Sequence, residues 1–145
     1  MSKLKFVSKI PIEKGWSSDK KHCAVTEDGT KYLLRISPKD KGKRAKRIFH
    51  MQQKVAEAGV PMCAPLEFGR CKDGVYTVQS WIDGREAEEV IPLLSDSEQY
   101  ALGLEAGRIL KKIHSVPAPK NQPDWERAYN AKIDRKIKAY NECPA

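Results

Sequence analysis

No stretch of this 145-residue chain approaches the roughly 18 consecutive apolar residues needed to span a membrane. The lysine-rich start also lacks the apolar core of a secretory signal, and both absences point to a cytoplasmic protein with no membrane partner. Cysteine is sparse and scattered. Cys23, Cys63, Cys71 and Cys143 form no Cys-x-x-Cys pair and have no histidine at ligand spacing, so a metal site is not expected and reduced thiols are the default. No internal repeat or low-complexity tract is present. With 40% hydrophobic and 32% charged residues, the chain can build one modest core, which means one domain or a small domain plus part of another. The net charge of +8 suits a polyanionic partner, nucleotide or nucleic acid, although a basic face more often serves only solvation.

Loose alternation from Phe6 to Trp16, stopping at Gly15, predicts a strand with Phe6, Ser8, Ile10 and Ile12 on one face and Pro11 at an edge or bulge. Two further strands are expected over residues 21–26 and 30–37, joined at the hairpin pair Asp28-Gly29. In the second of these, Tyr32, Leu34 and Ile36 share one face while Lys31, Leu33 and Arg35 share the other. Arg35 therefore points away from the core side of the sheet. A helix is expected over about residues 43–58, with Ile48, Met51, Gln52 and Val55 as its apolar stripe, a start dense in lysine and arginine, and Gly59 as its stop. An extended connector, residues 60–65, leads to a second hairpin, 66–71 and 75–81, around Asp73-Gly74. Three strands, a helix and two strands pack most economically as a five-stranded antiparallel sheet covered by one helix.

Beyond Gly84 the character becomes helical, which divides the chain into residues 1–84 and 85–145. Ser95-Asp-Ser-Glu98 matches a capping box, and Leu102, Ala106, Ile109, Leu110 and Ile113 form a stripe running to His114. Gly103 and Gly107 each cost about 1 kcal/mol inside a helix, so they predict a close helix contact. After a proline-rich connector, residues 116–123, a last helix over 124–141 carries Trp125, Tyr129, Ile133, Ile137 and Tyr140 on one stripe. That stripe needs a partner, and either self-association through these C-terminal helices or a mobile last helix is expected.

Few residues carry chemistry on their own. The loop from Gly15 to Lys20 offers backbone N–H groups and the hydroxyls of Ser17 and Ser18 to phosphates, though it is not a Gly-x-Gly-x-x-Gly loop and Gly-Ser turns are common. Arg35, midway along its strand, can balance phosphate charge, while the plainer reading is an exposed strand arginine. The strand exit from Gln79 to Gly84 can present backbone groups to a purine edge, with Ile10, Ile12 and Leu33 as apolar walls. His50 and His114 read as structural, since neither has an acid or nucleophile partner nearby in sequence.

Taken in order, these segments resemble the aminoglycoside phosphotransferase family of kinase-like small-molecule phosphotransferases. The resemblance rests on Gly15-Trp-Ser-Ser-Asp-Lys-Lys21, Lys31-Tyr-Leu-Leu-Arg35, Gly59-Val-Pro-Met62, Gln79-Ser-Trp-Ile-Asp-Gly84 and Ala106-Gly-Arg-Ile-Leu-Lys-Lys-Ile-His114. It implies an α+β fold, a protein-kinase-like N-lobe followed by a hinge and the first helices of a helical C-lobe. Ser17 and Ser18 fall in the nucleotide-positioning loop, Arg35 at the phosphate-binding lysine, Gln79 at the gatekeeper, and Ser80 and Ile82 where hinge backbone meets adenine. The implied cofactor is ATP or GTP with magnesium, and the implied acceptor is a hydroxyl of an aminoglycoside, another antibiotic, or a metabolite such as choline or a sugar.

The sequence departs from this pattern in two places. Arginine stands where the family has lysine, and the following helix offers only Glu57, at its far end, as the acid that would pair with it; Arg47, Ile48, Phe49 and His50 occupy the expected region. The 145 residues also contain no His-Gly-Asp loop and no metal-binding aspartate after it, so no catalytic and no metal-ligating residue is assigned and the chain reads as truncated and inactive by itself. The alternative is a non-catalytic, kinase-like module for protein contacts. A nucleic-acid-binding domain is not expected, because it needs exposed aromatics among basic residues, whereas Trp125, Tyr129 and Tyr140 are expected to be taken up by packing.

Overall fold

The structure is a computed structural model and describes residues 3–143. Five strands, β1 (Phe6–Pro11), β2 (Lys20–Thr26), β3 (Lys31–Pro38), β4 (Pro65–Cys71) and β5 (Gly74–Ser80), form one antiparallel sheet in the order β1-β2-β3-β5-β4. The long helix α1 (Gly42–Glu57) connects β3 to β4. Both hairpins form where Asp-Gly pairs predict them. At the first, Thr26 and Asp28 side chains brace the turn at 2.6 Å while Gly29 takes the left-handed φ of 83° that it requires. Gly59, at φ 75°, ends α1 in the same conformation.

The two faces of the sheet differ. Ala24, Leu34, Tyr76 and Val78 are buried together on one, with Leu4, Phe6, Tyr32, Ile36 and Cys71 packed around them. The opposite face carries Arg35, Ser37, Thr77 and Gln79, and α1 lies on it, with Phe49 against Phe68 at 5.8 Å between ring centroids. The helix thus covers the more polar face, and Arg35 points toward it.

Two expectations about individual faces need correction. A bulge between Phe6 and Ser8 in β1 puts Phe6 against Tyr32 on the apolar face, while Ile10 faces the other way, opposite Cys23. Simple alternation, which groups Phe6 with Ile10, misses the extra residue. In α1 the inward residue is Phe49, with Ala45, Gln52 and Ala56 partly buried beside it, whereas Ile48 and Met51 are exposed at the edges. The stripe is rotated because the helix docks through an aromatic contact to β4.

After β5 come a short helix α2 (Ala87–Val90), then α3 (Asp96–His114) and α4 (Trp125–Asn141). Ser95 and Asp124 cap the two long helices; the Glu98 carboxylate accepts from the Ser95 N–H at 2.8 Å, and its bonds to Ser95 hold it below the usual carboxylate range. Among the described residues neither α3 nor α4 packs extensively on another element. Gly103 and Gly107 accordingly face open space, not a neighbouring helix, and Trp125, Tyr129 and Tyr140 are exposed, not packed. No helix of the described residues is long and apolar enough to cross a membrane.

Candidate functional site

A cleft of about 500 Å³ opens between residues 16–19, the middle of β3 and the start of α1. Ser17, Ser18 and Arg35 all line it, so the three phosphate-side residues expected from sequence come together. The first hairpin explains this. Its register sets Lys21 opposite Arg35, and continuing it outward carries Asp19 past the strand end on the same face.

Asp19, which no motif marks, is the carboxylate partner of Arg35. Its Oδ2 lies 3.7 Å from the arginine Nε, with the Asp19 side chain only 16% exposed and that of Arg35 35%. At that distance the contact is an ion pair without a hydrogen bond, and Arg35 Nε is buried with no acceptor. The acid facing Arg35 thus comes from the loop and not from α1. The helix contributes cations instead: Lys41 and Arg44 line the cleft, and Lys41 Nζ donates to the Ser18 hydroxyl, tying the loop to the start of α1. The first turn of α1 holds no acidic residue, and Lys41 at its N-cap gives no side-chain cap. Trp16 stands fully exposed at the rim.

On the same face, one step along the strands, Ile10, Cys23, Leu33 and Gln79 lie in register across β1, β2, β3 and β5. Gln79 is buried at the far end of this row, whereas Ile10 is 57% exposed because α1 does not reach it. Past Gln79, Ser80 is tied to the connector: its N–H donates to the Ala64 carbonyl at 2.9 Å and its hydroxyl accepts from the Ala64 N–H at 2.7 Å. Its side chain belongs to the other face, opposite Tyr32. Ile82 is exposed just beyond the strand. Neither Ser80 nor Ile82 lines the Arg35 cleft.

The strand exit is held by Asp83, which accepts from Lys31 Nζ and from Trp81 Nε1, each at 3.0 Å. The lysine contact, then the indole, holds the Asp83 carboxyl below its usual range, and Asp83 in turn raises the Lys31 ammonium. A second exposed pair, Lys14 with Glu86, links the loop after β1 to the segment after the exit. Among the described residues no group of three or more His, Cys, Asp or Glu side chains is placed to hold a metal ion.

Residues 9–145 match the sequence profile of a family described as the phosphotransferase enzyme family. No curated protein and no solved structure is significantly similar to the chain. With this match, the five-stranded sheet, α1 and the helices after it form a kinase-like N-lobe followed by helices.

Proposed function

Because the chain belongs to the phosphotransferase enzyme family, we propose that residues 1–84 bind the nucleotide for an ATP-dependent transfer to a hydroxyl of a small molecule. Residues 85–145 begin the helical lobe that would carry the acceptor. The observation that supports this reading is the common face of Arg35 and the row from Ile10 to Gln79, open at its Ile10 end and buried at Gln79. A nucleotide laid across that face would put its phosphates beside Ser17, Ser18 and Arg35 and its base over Ile10 and Leu33, toward the backbone of Ser80 and Ile82. The Ser80 N–H already donates to Ala64, so a purine edge would have to meet the Ser80 carbonyl and the Ile82 N–H instead.

Magnesium would supply charge neutralisation during transfer, and the residues that hold it in kinases are not among these 145. The chain is therefore proposed to bind nucleotide in the cytoplasm without transferring phosphate by itself. The acceptor is an antibiotic or a metabolite bearing a free hydroxyl.

Calorimetric titration with ATP and with adenosine tests the reading. Arg35→Ala should weaken ATP by about 1.5–3 kcal/mol, roughly 10- to 150-fold, because a charge-assisted contact is lost, and leave adenosine unchanged. Equal loss of both ligands would mean a damaged sheet and would remove Arg35 from the site. A coupled ADP-release assay with any aminoglycoside should show no turnover.

A further inference from the structure

We propose that the Arg35 cleft grips a polyphosphate tail directly, through Arg35, Lys41 and Arg44, without a bridging divalent cation, and that Asp19 occupies this position until the phosphates displace it. The proposal rests on the nucleotide reading above and specifies how its phosphate end works.

Charge is the first argument. In kinases the strand cation is partly neutralised by a helix acid, and metal ions bear most of the phosphate charge. Here the helix side of the cleft offers Lys41 and Arg44, so three cations face the single carboxylate of Asp19 among the described lining residues. The start of α1 adds to this excess. Its first turn, which continues from a 3-10 turn over Lys39–Lys41 carrying Asp40, holds no acidic side chain of its own and has Lys43 and Arg44 near the positive end of the helix dipole. Cations at a helix N-terminus are unfavourable alone and become favourable once an anion sits between them.

Arg35 itself is the second, independent argument. Its Nε is buried and makes no hydrogen bond, since Asp19 stands 3.7 Å away. A buried donor without an acceptor is costly, and the guanidinium fork is shaped for two phosphate oxygens. Asp19 supplies the charge of such a ligand without its hydrogen bonds, as expected of a stand-in. The Ser18 hydroxyl, already engaged by Lys41, holds the loop where Ser17 and Ser18 can contact the same oxygens.

The test uses the full chain and two probes, sodium tripolyphosphate and adenosine, each titrated with EDTA and with excess magnesium. Tripolyphosphate should bind in EDTA, and Lys41→Glu with Arg44→Glu should weaken it by roughly tenfold or more, the loss expected when charge-assisted contacts are reversed. The exposed pair Lys132→Glu and Lys136→Glu, which makes the same change in net charge on α4, should leave binding within about twofold once salt screens general attraction. Asp19→Asn should tighten tripolyphosphate and not adenosine. Tripolyphosphate binding that requires magnesium, that survives the Lys41 and Arg44 changes, or that weakens in Asp19→Asn would overturn the proposal. Adenosine binding without tripolyphosphate binding would reject the cradle and leave the nucleotide reading standing. The reverse pattern would keep the cradle and reject the nucleotide.

Discussion

Single residues on the two faces of the sheet are under different demands. Tyr76, on the apolar face, is 6% exposed, and its hydroxyl donates to Glu67 Oε1 at 2.6 Å. Burial first, and Glu67 second, push its phenol up to about 12. The unfolded phenol ionises near pH 10, so the stability linked to this group is intact below about pH 10 and is lost as pH rises toward 12. Thermal melts across that window should fall more steeply for the wild type than for Tyr76→Phe, which starts lower through loss of the Glu67 bond; parallel curves would show that Tyr76 ionises freely in the fold. Gly69 lies opposite Tyr76, and a Cβ there would sit 2.5 Å from the ring, so Gly69→Ala must move the ring and should lower the Tyr76 pKa. Spectrophotometric titration of the tyrosines reads that shift, and an unchanged titration would contradict it.

Secondary elements were legible in the sequence where local chemistry decides them. Asp28-Gly29, Asp73-Gly74, Gly59 and the Ser95 to Glu98 cap each act within a few residues, and each element they bound is present. The bulge at Val7 and the rotation of α1 were not legible, because both are fixed by partners distant in sequence, Thr26 with Tyr32 and Phe68. The site divides the same way. The face of Arg35 follows from alternation, and Asp19 could have been found by extending the hairpin register, whereas Lys41 and Arg44 join the cleft only through the docking angle of α1. Phe49→Ala should consequently cost about 3 kcal/mol in urea denaturation, near the low end for a buried phenylalanine, while Ile48→Ala should cost under about 1 kcal/mol. An Ile48→Ala loss matching that of Phe49→Ala would restore the stripe expected from sequence and undo the docking described above.

For the whole molecule, the distribution of burial is the governing feature. The buried hydrophobic residues are Ala24, Leu34, Phe49, Val60, Tyr76 and Val78, all in or beside the sheet and α1. On α3 and α4, Leu102, Leu104, Leu110, Ile137 and Tyr140 are exposed, and Trp125 stacks on Tyr129 of its own helix, at 4.9 Å. Lys112, donating to the Gly59 carbonyl at 3.3 Å, is a thin tether between α3 and the small lobe. Apolar patches beyond a few hundred Å² rarely stay open on a monomer, and helices of 17 to 19 residues gain most of their stability from a packed face. The purified chain should therefore either self-associate through α3 and α4 or hold α4 only loosely. Light scattering across a dilution series reads the first outcome, and amide exchange over Trp125–Asn141, with protection far below that of β3 and β5, reads the second. Replacing Leu102, Leu110 and Ile137 with glutamate should abolish the association without lowering the melting temperature of the sheet, since none of the three touches the core. A strictly monomeric chain with α4 fully protected would contradict both branches, and would mean that the two helices close against the small lobe in solution.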